Sequence, residues 1–560
     1  MTDAREIITL QFGNFANHVG CHFWNIQENS FNYDPTVSDL SEINHDVLFR
    51  EGTHNRNITY TPRMLLVDLK GTLKYIPESG NLYNQPLELN NPDNSVLDQV
   101  RSTIQWDEDF IEVMETEPVE VPEFQKSLQQ NEVRDNQTAF NLKETIRDWP
   151  DFMYTRYHPK SINIIKEYER KDEVSTLDTF TAGSQLFETP FFEDDFCDNI
   201  RSFMEECNHS QGFQTFFDCI DGFSGVALKC MEHLEDEYSK PIFAIPLFPC
   251  IVKNFQFADE AMSDSIRMIN IASSFAKLSE HSNLFTPLST MGRAWRTIDE
   301  PRKFPSLNYD PSNIYHSSAI LATFMDTMSL KYRLKDSSLL CSLSGFCSEL
   351  NGYNRKMSAA KLAMPFPMNE KEDLIDFLDR FDGSLMESIT PGVTVGNDRI
   401  VQSISLRGVP KSRLKRPLES AKSQMKMSAY KCTSISEMIQ LYYQCNTYAS
   451  LSNVAAIESR MKVKSPFPKE FFDDRIAVNG FMKEFQNSIV EDIKELPVMT
   501  ALQTSNEISN VLENLHTNVS RVKIAKVPRL VDSGLEVVDY KETLEQLLTF
   551  KEQYDESFFL

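Results

Sequence analysis

Arg5–Trp24 reads REIITLQFGNFANHVGCHFW, and the order of residue types in it decides the fold. The apolar run Glu6–Phe12 suits a strand, Gly13, Asn14 and Phe15 suit a tight turn, and Val19, Phe23 and Ile26 recur at helical spacing. A strand that ends in glycine and runs into a helix presents free backbone N–H groups and the positive end of the helix dipole, a geometry suited to phosphate. The same turn is also the ordinary way to join a strand to a helix, because glycine serves wherever φ must be positive.

Two further segments extend the pattern. Arg63–Leu69 (RMLLVDL) is nearly continuously apolar, as expected of a strand covered on both faces in a parallel sheet. Phe213–Ile220, the glycine-containing turn Asp221–Gly225, a helix with Ala227, Met231, Leu234 and Tyr238 on one face, and the strand Pro241–Phe248 together make a βαβ unit. Such a unit closes right-handed over a parallel sheet. Its glycine turn falls at the carboxyl end of a strand, where doubly wound sheets hold ligands.

At 560 residues the chain exceeds what one hydrophobic core serves, so two or three packed domains are expected. The formal charge of -26 disfavours nonspecific binding to nucleic acid or anionic lipid, and any anion must be held by a local site. The 10 cysteines are scattered without a CxxC pair, which implies free thiols in a reducing compartment. No window reaches the roughly 20 apolar residues of a transmembrane segment, and the N-terminus lacks the character of a signal or transit peptide. Trp106–Gln125 carries acids with no Lys or Arg and is broken by Pro118 and Pro122. It reads as a solvated acidic loop, with a docking strip for a basic partner as the alternative. Beyond Asn270 helices are expected over Ile271–Leu284 and Ser317–Tyr332, then over Glu470–Leu496 and Glu536–Tyr554. Between them Arg407, Lys411, Arg413, Lys415 and Arg416 form a basic patch, expected as a solvated loop because of Pro410 and Pro417, with a clamp for a phosphate or an acidic tail as the alternative.

The opening segment resembles that of tubulins, which read REI-x-x-IQ-x-G-x-x-GNQIG-x-x-FW. Tyr60–Leu69 is similar to the tubulin strand PRAVLVDLE, and Gly222–Gly225 stands where tubulins carry the glycine-rich loop GGGTGSG. Asp236, Glu237 and Tyr238 resemble the end of the helix that follows, and Asn270 with Leu278–Ser282 resembles the YNS and LEHS stretches. The resemblance covers Arg5–Arg333 in patches. It implies an α/β fold: a tubulin/FtsZ-like, Rossmann-type N-terminal domain with a parallel sheet over residues 1–260, including an acidic insertion at about 106–135. A second α/β domain over 261–430 and a helical C-terminal region over 431–560 complete the expectation.

The resemblance also assigns a nucleotide cleft to Gly13, Asn14, Asn17, Gly222, Ser224, Gly225 and Asn270, with GTP as the cofactor to be tested. The departures weigh against use of that cleft. Asp221 and Phe223 replace small residues of the phosphate loop, and a carboxylate beside phosphate is repulsive by on the order of 1 kcal/mol. Lys70 stands where tubulins have the glutamate associated with magnesium. After Arg333, where tubulins bring an asparagine and an acid to a neighbour's nucleotide, the chain reads LKDSSLL. Hydrolysis needs an activated water and stabilised phosphoryl charge, and neither has a candidate group, so no catalytic residue is assigned and the chain is not expected to be an enzyme. Bare nucleotide binding and an empty cleft stand as equal alternatives. His18, Cys21 and His22 offer soft ligands on adjacent helical turns but lack a closing pair, so no metal is expected there.

With these altered signatures, the acidic insertion, and Trp149-Pro150 and His158–Ser161 before the glycine block, the chain resembles the Misato family specifically. That resemblance implies control of mitochondrial distribution and morphology and of microtubule and mitotic spindle assembly. The implied partners are tubulin, the cytosolic chaperonin and prefoldin. The implied location is cytoplasmic, with peripheral attachment at the mitochondrial outer membrane. A GTP-binding switch or polymerising GTPase is the alternative.

Overall fold

A computed structural model describes residues 5–31, 42–54, 57–78, 80, 121–129, 140, 142–170, 176–250, 260–293, 295, 300–335, 341–393, 401–416, 427–446, 451–483 and 492–554. The acidic stretch therefore lies outside the described residues, apart from a short helix at Glu123–Gln129.

The opening strand and helix form as expected. Strand β1 (Ile7–Phe12) is buried throughout and passes through Gly13 into helix α1 (Asn14–Glu28). A hairpin of β2 (Phe49–His54) and β3 (Asn57–Pro62) leads to β4 (Met64–Lys70), and β5 (Ile162–Glu169) follows. Helices α2 (Phe180–Leu186) and α3 (Cys197–Glu205) precede β6 (Gly212–Asp218), α4 (Phe223–Tyr238) and β7 (Ile242–Phe248). Helix α5 (Glu260–Ser273) leads to the short strands β8 (Leu284–Phe285) and β9 (Leu288–Ser289). The sheet runs β5-β4-β1-β6-β7 with β8 and β9 both on β7, and every pairing is parallel. Alternate residues of β1 enter different cores. Ile7 packs among residues of α1, while Ile8, Leu10 and Phe12 pack among residues of α4 and α5. Coverage on both faces is why these strands read as apolar runs rather than alternating ones.

Helix α6 (Ile314–Met328) is buried from Tyr315 to Met328 and packs on α1. It also lies against a second sheet, of β10 (Ala359–Ala363), β11 (Glu387–Ser388), β12 (Val401–Arg407), β13 (Leu451–Ile457) and β16 (Val498–Thr504). Helix α7 (Ile435–Asn446) lies between β12 and β13 in the chain, and the small β14 (Met461–Lys462) and β15 (Glu495–Leu496) pair lies between β13 and β16. The order is β11-β10-β16-β12-β13, with β12 and β13 parallel and the other pairs antiparallel. Helices α8 (Glu507–Val519), α9 (Pro528–Asp532) and α10 (Val537–Glu552) follow, and α8 and α10 pack back on α5.

Two expectations need correction. The region from 431 onward is not simply helical, because β13 and β16 pair with β12 on either side, so a boundary at 430 would cut through one sheet. Val498–Thr504 is a fully buried run of 7 residues, too short to nucleate a helix and suited to a central strand. The described part of Glu470–Leu496 is turn, bend and the short strand β15 rather than helix, with the packed rings of Phe467, Phe471 and Phe472 at its start, whereas α10 falls where Glu536–Tyr554 predicted it. The basic patch is the second correction. Arg407 is the last residue of a buried strand and pairs with Asp326, and only Lys411–Arg416, a short 3-10 turn at Lys411–Arg413 and the bend after it, lie outside the sheet.

Candidate functional site

The carboxyl ends of β1, β4 and β6 bring the predicted cleft residues together, and the N–H groups at the start of α1 are taken by the chain's own side chain. Phe12 is in register with Phe217, so Gly13 lies beside Asp218. The backbone N–H groups of Phe15 and Ala16, at the start of α1, donate to Asp218 Oδ2 at 2.9 Å and Oδ1 at 2.8 Å. Free N–H groups at a helix start favour an anion, and here the anion is a side chain. Gly13 has φ +104°, and a Cβ on it would stand 2.5 Å from Asp218 Oδ2. Its glycine thus admits an internal carboxylate.

The remaining residues are engaged in the same way. Asn17 Nδ2 donates to Val67 O and to Asp68 Oδ2, at 3.1 and 3.0 Å. Asp68, the acid of the VDLK strand, also accepts from Trp149 Nε1, from Leu69 N and from Thr72 Oγ1. Both its oxygens are therefore taken by donors that magnesium-bound water would have to replace, and Lys70 next to it is exposed. Asn14 Oδ1 accepts from Arg170, whose guanidinium pairs with Asp148. Asn270 is buried and fastens two loops: its Nδ2 donates to Asp178 O and Ile220 O, and its Oδ1 accepts from Phe180 N. Ser224 Oγ donates to Asp221 O.

Gly222 and Gly225 serve helix packing. The first turn of α4 lies so close to α2 that a Cβ on Gly225 would meet Phe180 O at 1.9 Å, and one on Gly183 would meet Gly222 O at 1.7 Å. The contact is backbone on backbone, so a side chain cannot simply rotate away. Gly225→Ala is expected to lower the unfolding free energy by about 2–3 kcal/mol with nucleotide absent, read from urea midpoints. A variant as stable as the parent would remove the packing explanation.

Two acids of this cleft, Asp218 and Asp221, have their pKa raised. Burial, and then the Asp221 carboxylate, raise Asp218 well above the usual carboxylate range, while the two α1 N–H groups pull the other way. Asp221 is pushed up to about 7, first by burial and then by Asp68 and Asp178, although its bond from Phe223 N opposes this. An acid whose folded pKa is raised contributes stability below its unfolded value of about 4 and loses it as pH climbs toward the folded value. Stability is therefore expected to fall between about pH 4 and about 7, and to fall less steeply in Asp221→Asn, which keeps the acceptor for Phe223 N. Parallel slopes for the two proteins in urea unfolding across that window would refute the assignment.

The three soft side chains of α1 have partners of their own. His18 Nδ1 donates to Asn14 O at 2.8 Å, His22 Nε2 to Tyr315 O at 3.1 Å, and the Cys21 thiol to Trp149 O at 3.5 Å. Burial lowers His18 to about 4 and lowers His22 as well, so both rings are neutral. Among the described residues no His, Cys, Asp and Glu cluster has a metal-binding arrangement.

Sequence reasoning missed Asp218, Arg170 and a clamp on the α2 loop. In that clamp Arg529 of α9 pairs with Asp178 at 2.6 Å, and the hydroxyls of Thr181 and Ser533 meet at 2.6 Å. A signal for Asp218 existed: it ends the strand FQTFFD, and a parallel register with β1 puts that end beside Gly13.

Known families match along this chain. The Misato Segment II tubulin-like domain matches residues 5–130 and the Tubulin domain matches residues 139–334. The chain is 40% identical over 577 residues to Protein misato of Drosophila melanogaster, covering 100% of both chains. It is 29% identical over 571 residues to Protein misato homolog 1 of Mus musculus, covering 99% of this chain and 98% of that one. It is 30% identical over 581 residues to Protein misato homolog 1 of Homo sapiens, covering 98% of each.

Proposed function

The chain belongs to the Misato family of tubulin-like proteins, and from that premise we propose that it is a non-catalytic adaptor with a tubulin-shaped surface. In this reading it engages tubulin, or the cytosolic chaperonin and prefoldin that handle tubulin. Through them it regulates microtubule and mitotic spindle assembly and the distribution and morphology of mitochondria. It acts from the cytoplasm, with peripheral attachment to the mitochondrial outer membrane. Among the described residues no helix is long and apolar enough to cross a membrane.

The observation that carries the proposal is Asp218 on the N-terminus of α1. A γ-phosphate can drive a switch only through contacts that differ between nucleotide states, and here the α1 donors are already committed to a side chain. The expected result is natively purified protein without stoichiometric guanine nucleotide, and no micromolar binding of labelled GTP in magnesium. Native pull-down should recover tubulin, chaperonin or prefoldin. Stoichiometric guanine nucleotide would instead bring the GTP-binding switch forward. A pull-down lacking all three partners would remove the adaptor reading.

A further inference from the structure

We propose that α9 is a latch holding residues 176–186, which include α2, closed over the turn at 221–225, so that the C-terminal helices govern how often this side of the cleft opens. The device is independent of what the cleft itself holds. The inner surface of the segment is fastened to the cleft by buried groups. Leu177 O accepts from Gly222 N at 3.1 Å, Asp178 O accepts from Asn270 Nδ2 at 2.7 Å, and Phe180 N donates to Asn270 Oδ1 at 2.9 Å. Gly183 lies on Gly222 with no room for a Cβ between the two backbones. A ligand can therefore reach the backbone of the turn from this side only when the segment moves.

The outer surface of the segment is held from a distant part of the chain. Arg529 Nη1 donates to Asp178 Oδ2 at 2.6 Å and to Thr176 Oγ1 at 3.4 Å. The hydroxyls of Thr181 and Ser533 meet at 2.6 Å, and Gln185 Nε2 donates to Ser533 O at 3.2 Å. These bonds run the length of the segment, and each spans between 348 and 353 residues of chain. Helix α2 has only 7 residues, too few to hold its own shape without outside support.

The inner and outer fastenings differ in strength. Asn270 is fully buried, whereas the side chains of Arg529 and Asp178 are 48% and 29% exposed. An exposed ion pair contributes little, so the latch is the weaker of the two and a small change at α9 shifts the balance between closed and open segment. Asp178 joins the two sides: Asn270 holds its backbone oxygen, Arg529 holds its carboxylate, and its charge also bears on Asp221 in the turn.

The test is hydrogen exchange read by mass spectrometry on the full chain. It compares the parent with Arg529→Glu, which sets a second carboxylate against Asp178, and with the charge swap that combines Arg529→Glu and Asp178→Arg. In Arg529→Glu the peptides covering 177–187 and 219–226 should both exchange at least about fivefold faster, while β1 and β12 keep parental rates. The swap leaves the backbone oxygen that Asn270 holds and should return both peptides toward the parent. Ser533→Ala, which removes only the hydroxyl contact with Thr181, should act in the same direction and more weakly. Unchanged exchange at 177–187 in Arg529→Glu, a rise spread evenly over β1 and β12, a faster 177–187 with 219–226 still protected, or no recovery in the swap would each overturn the proposal.

Discussion

Asp218→Ala is expected to lower the unfolding free energy by about 2–4 kcal/mol, because it leaves two buried N–H groups at the start of α1 without an acceptor. The loss exceeds that of a surface cap because the site is closed: Asp218 is 4% exposed, and Gly13 leaves no room for a compensating side chain. Part of the gain is offset in the parent by the cost of burying the carboxylate, which is why its pKa is raised. Asp218→Asn keeps one acceptor oxygen but turns an amide N–H₂ toward a donor, so it should lose a similar or slightly smaller amount. Urea unfolding at constant pH reads both. A second arm uses Asp218→Gly, which empties the helix start. That variant should recover stability in phosphate relative to chloride at matched ionic strength, since a ligand that binds only the folded state stabilises it by mass action. The parent should not respond. If Asp218→Ala matches the parent, or if phosphate stabilises both alike, the carboxylate is not what fills the anion site.

That result bears on what was legible in the amino-acid order. Ile7–Phe12, Met64–Lys70 and Ile242–Phe248 announced a parallel sheet through their unbroken apolar runs, because burial on both faces leaves one-dimensional traces. The positions of the cleft residues were equally readable, since glycine at a strand–helix junction is a local signal. Their use was not. Whether Gly225 approaches a phosphate or the Phe180 carbonyl depends on where α2 lies, and nothing local to Gly225 encodes that. Asn270 bonds to groups 50 and 92 residues away. The second sheet was hidden for a related reason: β16 takes its place between β10 and β12, so its partners lie between 91 and 144 residues upstream in the chain. Short buried strands of that kind look like fragments of buried helix until their pairing is known.

The other large effect is expected at Asp326, where α6 meets the second sheet. Asp326 pairs with Arg333 at 2.9 Å and with Arg407 of β12, and all three side chains are at most 3% exposed. Burial lowers the Arg407 pKa while Asp326 raises it, so the acid offsets the cost of holding a guanidinium that stays charged in the interior. The cluster holds two cations and one anion. Asp326→Ala leaves both cations buried together without a counter-ion and should cost about 4 kcal/mol or more, close to the upper range for breaking a buried pair. Arg407→Met leaves a neutral Asp326–Arg333 pair and adds an apolar stem where a charge was desolvated, so its cost should stay within about 1.5 kcal/mol. The carbonyls of Ser459 and Arg460 that Arg407 serves lose their donor in that variant, which accounts for the remaining loss. Because Asp326 sits on the helix shared by both sheets, Asp326→Ala should also bring earlier hydrogen exchange in β12 and β16 than in β1 and β6. The order of the two costs is the decisive reading. If Arg407→Met were the more damaging, the cluster would be holding β12 through the carbonyl bonds of Arg407, and the charge balance around Asp326 would be secondary.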